Sequence, residues 1–299
     1  GDARTVRLLV PLLKSSVPAV RNAARLVLQR LAKAAPETVV ELSRDPDVRM
    51  RIFAADIMTE SGDHDLAEPL VAMLDDSDEN VRDAAIVGLG RLGAPEAICR
   101  LEEFASEGNP WTRFSAVDAL GQIPSPDSVR ALVRVLSRAA GELVEPVVEA
   151  LSRQGSPDAI LPMIEKLVQQ PALGRSIVPA LALFPSENVA ARTPEADRPA
   201  VSDAVVSRLS ENDLSPESTV GCLDLLGALG VRVEIRVFVR LLASPVRSVL
   251  LAAVHAVVRL NLRDAVPLLR QLQSQRDPLL ADDVRAALES FGRSGKEQQ

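Results

Sequence analysis

The chain has 299 residues, 47% of them hydrophobic and 25% charged, with a formal net charge of −7. That balance argues against a nucleic-acid surface, which needs a stripe of Lys and Arg to neutralise phosphates. No apolar run reaches the roughly 20 residues that cross a bilayer. Aromatic residues make up only 2% and Tyr is absent, so the core has to be built from Leu, Val and Ala, which suit closely packed helices.

In chain order, the sequence repeats itself. VRDAAIVGLGRLGAPEA from Val81, TRFSAVDALGQIPSPDS from Thr112 and LVEPVVEALSRQGSPDA from Leu143 align. Each has an apolar or β-branched residue at a start position, a Leu eight residues on, and then a turn signal with Gly or Pro. The same pair recurs as Val20/Leu28, Met50/Met58, Val81/Leu89, Thr112/Leu120, Leu143/Leu151, Leu173/Leu181, Ser218/Leu226, Leu250/Val258 and Leu280/Leu288. Starts are 30 to 32 residues apart, except for one interval of 45 that contains SENVAARTPEADRP (186–199).

Two helices are readable in each unit. The second begins at the start position, and offsets 0, 4, 8 and 11 from it fall on one largely apolar face. The first is amphipathic in LAEPLVAML (66–74), VRALVRVL (129–136), AILPMIEKL (159–167) and AVPLLRQL (265–272). GAPEA, PSPDS and GSPDA separate units by placing Gly or Pro after one helix and an acidic or Ser residue at the start of the next. DPD (45–47) and DDSDEN (75–80) turn between the helices of a unit. One pair of about 30 residues cannot bury its apolar face alone, so stacked pairs must share a continuous core. The expected organisation is a single solenoid over 1–292, a loop inserted at 186–199 whose composition favours disorder, and a disordered tail at 293–299.

The units resemble HEAT repeats, in the short bacterial variety similar to phycobilisome-lyase-type HEAT-like repeats. The residues that carry the resemblance are DPDVRMRIFAADIM (45–58), DENVRDAAIVGLGRLGAPEA (78–97) and NPWTRFSAVDALGQIPSPDS (109–128). It implies an all-α fold, an α-α superhelix of about nine HEAT-like helix pairs. It also implies that Arg21, Arg51, Arg82 and Arg113, each just after a start position, brace neighbouring repeats through acidic groups. The function that the resemblance implies is a non-enzymatic scaffold or adaptor in bacterial signalling or complex assembly. A phycobilin-lyase-like enzyme and a self-assembling structural module remain open alternatives.

Catalytic and metal motifs are sparse. His64 sits in the turn SGDHDLAEP and His255 in the apolar helix LAAVHAVVRL, with no His-Glu pair, so no metal site and no cofactor are expected. GLGRLGAP (88–95) has G-x-G spacing but lies inside a repeat helix and follows no strand. Cys99 and Cys222 read as small buried hydrophobes. They imply no disulfide framework, which fits a reducing, cytoplasmic location.

Offsets 2, 6 and 9 of each second helix point away from the core and should line the concave surface. The candidate partner-binding residues there are Leu26, Ile52, Asp56, Val87, Phe114, Asp118 and Glu149, with Trp111 just before the fourth start position. An apolar strip edged by acids suits a protein or peptide partner that is basic and amphipathic. No nucleic acid and no membrane insertion are expected, and homo-oligomerisation is left open.

Overall fold

The computed structural model describes residues 3–211, 213–274 and 278–294. The described residues are helical throughout their regular structure and divide into two compact units, residues 1–154 and 155–299.

The first unit contains α1 (Ala3–Leu9), α2 (Pro18–Leu31), α3 (Pro36–Leu42), α4 (Val48–Ser61), α5 (Ala67–Ala72), α6 (Glu79–Leu92), α7 (Ile98–Glu107), α8 (Pro110–Gln122), α9 (Pro126–Arg138) and α10 (Val144–Gln154). Short 3-10 turns extend several of them. The even-numbered helices α2, α4, α6, α8 and α10 stack side by side, and the first helices of the pairs pack behind them. Helix starts follow from the sequence. Asp47, Asp78 and Asn109 cap α4, α6 and α8 by accepting from the backbone N–H groups of Arg49, Asn80 and Thr112. Gly62 and Gly93 end α4 and α6 in the left-handed conformation that Gly adopts without strain.

The seam between second helices depends on small residues. A Cβ built on Gly90 would lie 2.6 Å from the Ala119 Cα, and one on Gly121 would lie 2.8 Å from the Ala150 Cβ. These are offset 9 of one repeat against offset 7 of the next. Offset 9, expected on an open surface, instead faces the following helix.

The turns are built from acids and arginines. Asp45 and Asp76 accept from the Asp47 and Asp78 N–H groups at 2.8 Å, tightening the bend between paired helices. Each then takes a cation from the preceding repeat. Lys14 reaches Asp45 at 2.9 Å, and Arg51 grips Asp76 through two bonds of 2.7 and 2.8 Å. Among the described residues, the bracing role implied for the repeated Arg holds for Arg51 alone of the four. Arg21 and Arg82 donate to the carbonyls of Ser15 and Ser16, and of Asp76 and Ser77, in their own repeats. Arg113 donates to the Ala105 carbonyl. Their main work is to satisfy carbonyls at the end of the first helix and in the turn.

Where α8 ends without Gly, Gln154 supplies the cap, its side-chain amide donating to the Ile123, Leu120 and Gly121 carbonyls at 2.6, 3.2 and 3.2 Å.

The second unit contains α11 (Ile160–Gln169), α12 (Gly174–Leu181), α13 (Ser186–Arg192), α14 (Arg198–Ser210), α15 (Pro216–Leu229), α16 (Arg236–Leu241), α17 (Arg247–Arg259), α18 (Val266–Ser274) and α19 (Pro278–Ser294). Its second-helix row runs through α15, α17 and α19. The stretch 186–199, read from sequence as an inserted loop, carries α13 and the start of α14. Val189 and Ala190 are buried, and α13 packs on α11 and α15. Two adjacent apolar residues within a polar composition are enough to seat a short helix. Only Thr193–Asp197 remains as a turn.

In α17 the core face passes through Val249, Ala253 and Val257, one residue before the predicted Leu250/Val258 pair. The run VLLAAV is apolar on every side, so the pattern there does not fix the register. The side chain of Leu280 and the tail residues 295–299 lie outside the described residues, and α19 continues through Arg293 to Ser294.

The seam makes a signed prediction. Gly→Ala inside an open helix gains about 1 kcal/mol, but overpacking costs about 1–3 kcal/mol. Gly90→Ala should therefore lower the melting temperature, while Gly292→Ala, which meets nothing within 4 Å, should hold or raise it. Thermal unfolding followed by circular dichroism checks both.

The turn makes another. The Arg51 guanidinium beside Asp76 holds its carboxyl below the ordinary value of 3.8. That contribution is present above the ordinary value and is lost as pH falls through the lowered one. Asp76→Ala should cost about 2 kcal/mol at neutral pH and should lose less stability on acidification than wild type, as read by urea unfolding at each pH.

Candidate functional site

The exposed ridge of the second-helix row follows offsets 2, 6 and 10, as a period of about 3.6 demands. A groove crosses this ridge between α4, α6 and α8. Asp56, Thr59 and Glu60 line it from α4, Asp83, Ala84, Val87, Gly88 and Arg91 from α6, and Trp111 and Ser115 from α8. Pro110 at the first turn and the Asn109 cap set Trp111 at the open end of α8, where its side chain is 74% exposed. Asn109 is itself held by the Glu79 carboxylate of the preceding repeat.

Of the residues singled out from sequence, this groove brings together Asp56, Val87 and Trp111. Leu26 is exposed beside a neighbouring hollow lined by Gln29, Arg30, Lys33, Glu60 and Ser61. Ile52 and Phe114 are half-buried, while Asp118 and Glu149 are exposed further along the ridge, and none of these four lines either hollow.

The acids on the ridge are partly neutralised. Arg25 lies 3.5 Å from Asp56, Arg91 2.6 Å from Glu60, and Arg153 3.0 Å from Asp118. Asp83 differs: it accepts the Thr112 hydroxyl at 3.2 Å and makes no salt bridge with a described residue. Burial pushes its carboxyl above the ordinary value against the opposing pull of the Thr112 bond. Burial raises Asp56 as well, with Arg25 opposing. Glu60 and Arg91, at offset 10, were not among the sequence candidates. Small residues at offset 9 were the available sign that this position belongs to the seam.

Among the described residues no group of three His, Cys, Asp or Glu could hold a metal ion. His64 is exposed, and His255 is exposed with the Asp283 carboxylate at 3.9 Å. Among the described residues no helix is long and apolar enough to cross a membrane.

With this geometry in hand, comparison places the fold. The sequence model for HEAT repeats matches residues 35–113 and 100–182. The chain belongs to the HEAT-repeat family. A crystal structure of importin beta in an ammonium sulfate condition superposes with a TM-score of 0.58 at 18% identity, covering 96% of this HEAT-repeat chain and 45% of that one. The chain thus spans less than half the length of that protein, and at this identity the likeness shows the fold alone. The CpcE–CpcF complex of phycocyanin lyase from Nostoc sp. PCC7120 gives 0.42 at 21% identity, covering 86% of this chain and 94% of that one. A chain from work on the cadherin–beta-catenin interaction gives 0.43 at 14%, covering 95% and 79%. Neither of these two scores carries further argument. No curated protein sequence matches.

The cysteines depart from the sequence expectation in one case. Cys222 is buried, with its thiol pushed up to about 12 by desolvation, but Cys99 is exposed. It sits on the outer face of α7, where Ile98, Leu101 and Ala105 carry the core. The thiolate is the reactive form, so a maleimide should label one thiol in the native protein and two after denaturation, with the native adduct mapping to Cys99 by mass spectrometry.

Proposed function

We propose that the chain is a non-enzymatic binding module that holds a protein or peptide along the exposed face of its second helices, centred on the groove of α4, α6 and α8. The observation that carries this reading is Trp111. It is the largest exposed apolar side chain among the described residues, it is fixed by a helix cap rather than by core packing, and it stands over a groove that also presents Val87 and Asp83. Aromatic residues in such settings are favoured interface anchors.

The partner's contacting segment is basic and amphipathic. Asp83 offers a partly desolvated carboxylate that makes no salt bridge with a described residue, Val87 offers apolar surface, and the Trp111 ring accepts a cation over its face. The other residues on the ridge, Leu26, Ile52, Phe114, Asp118 and Glu149, extend the contact to either side. Opposite charge favours the ionised carboxylate, so affinity should weaken as pH falls through the raised Asp83 value.

Trp111 is the only Trp in the chain, so its fluorescence reports the groove directly. A protein captured from the source lysate by wild type is titrated into wild type and into Asp83→Lys. Binding at this groove shifts the Trp111 emission to shorter wavelength and is weakened about tenfold or more by Asp83→Lys, the 1.4 kcal/mol expected from one charge-assisted contact. An unshifted emission, or equal affinity for both, rejects this groove. A bound chromophore in place of a protein rejects the binding-module reading.

A further inference from the structure

One turn of the second unit is built differently from its equivalents. Among the described residues, five second helices end in a left-handed residue: Gly62, Gly93, Gly155, Gly230 and Asn261. Four positions after the first, second, third and fifth of these stand Leu66, Ala97, Ala159 and Ala265, all buried. Each donates its N–H to the carbonyl three residues before, at 3.0–3.2 Å, which winds the turn into a 3-10 helix. After Gly230 the fourth position is Glu234. A carboxylate stays in water rather than entering the core, and here the 3-10 turn is missing. The turn is no longer than the others, since Phe238 takes the core place eight residues on, as Leu101 and Leu269 do after Gly93 and Asn261. The same length of chain is simply left unwound. Val231, Val233 and Ile235 are half-buried and alternate with exposed Arg232, Glu234 and Arg236, the period of an extended chain. Neither the N–H nor the C=O of Val231, Arg232 or Val233 bonds to a described residue.

This segment forms one wall of an open cleft of about 740 Å³, and the turn after α17 forms the other. Both α15 and α19 pack on α17, so the cleft lies inside the stack and owes nothing to either end of the chain. Its charge is opposite to that of the groove at Trp111. Residues 231–263 hold six Arg, one Glu and no Asp or Lys, in a chain of net charge −7. Arg232 and Arg263 line the cleft from opposite walls, are exposed, and make no ion pair with a described residue. Arg236 pairs with Glu234 at 2.7 Å, but both are exposed and such a pair is weak. Asn261, with φ 50, adds a side-chain amide to the lining where the four equivalent turns have Gly. We infer that Val231–Glu234 is an edge on which an extended acidic peptide pairs main chain to main chain, its carboxylates taken by Arg232, Arg263 and Arg236. Free backbone groups supply the pairing, as in other strand additions, and guanidinium groups supply the selection for carboxylates. The site is separate from the groove of α4, α6 and α8 and takes a partner of opposite charge.

The probe is a fluorescein-labelled peptide of alternating Glu and Val, titrated with the full chain and followed by anisotropy. Expected is a saturable rise with wild type, and the same affinity for Asp83→Lys, which alters only the groove. Val233→Asp/Glu234→Ala keeps the net charge and every Arg, and gives the turn the pattern that winds into a 3-10 helix at Leu262–Ala265. It should close the edge and weaken binding about tenfold or more. Arg232→Glu/Arg263→Glu, at two exposed positions, should weaken it at least as much. A peptide methylated on alternate backbone nitrogens keeps its carboxylates but cannot pair as a strand, and it should bind wild type about tenfold less tightly. Circular dichroism verifies that each variant keeps its helicity. Absence of saturable binding by wild type overturns the inference, as does equal affinity for the Val233→Asp/Glu234→Ala protein. Equal binding of the methylated and plain peptides also overturns it, because the arginines then act as a charged patch without a strand edge. A single-stranded oligonucleotide that binds wild type where the peptide does not overturns it too, and assigns the arginines to phosphates.

Discussion

Close approach of successive second helices is the constraint on which the first unit depends. Where Gly90 meets Ala119 and Gly121 meets Ala150, there is no room for a further methyl group. That spacing determines which residues are free to face solvent. Once offsets 7 and 9 are committed to neighbouring helices, offsets 2, 6 and 10 are left as a ridge, and the groove at Trp111 lies between three of them. The acid-and-arginine turns act at the other end of the pair. They orient the second helix as it leaves the turn, and in Arg51–Asp76 they join one repeat to the next.

Salt bridges across the ridge have a different character. Arg25–Asp56, Arg91–Glu60 and Arg153–Asp118 are exposed to solvent and screened, so each contributes little to stability. Their larger effect is on what the surface presents. By neutralising Asp56, Glu60 and Asp118 from within, they leave Asp83 as the groove carboxylate that makes no salt bridge with a described residue. An unneutralised acidic ridge would attract cations along its whole length with little discrimination.

The helix pairs were legible because their signals agree: apolar periodicity and Asp or Asn caps mark the starts of α4, α6 and α8, and Gly stops mark the ends of α4 and α6. The frame slipped in α17, where an apolar run has no polar side to orient it. It failed at 186–199, where two buried residues decide the structure and composition does not reveal them. The ridge was only partly legible. Asp56, Val87 and Trp111 could be placed from a helical wheel, but Glu60 and Arg91 could not, because spacing along one helix does not say which neighbour claims offset 9. The ion pairs that redistribute charge join residues 25 to 35 apart, a separation at which periodicity says nothing about side-chain pairing.

The central claim is that each helix pair is an interchangeable unit whose stability comes from its neighbours. Deleting residues 62–92 removes one period and joins Ser61 to Gly93, recreating the turn that Gly62 makes. Circular dichroism and thermal unfolding of this variant, beside one lacking only 62–77, test the claim most directly. Repeat stacking predicts that the full-period deletion keeps native helicity per residue and a cooperative transition at a lower temperature, while the half-period deletion loses both. Equal collapse of the two variants would contradict a stack of equivalent repeats and point to a core that depends on the whole chain.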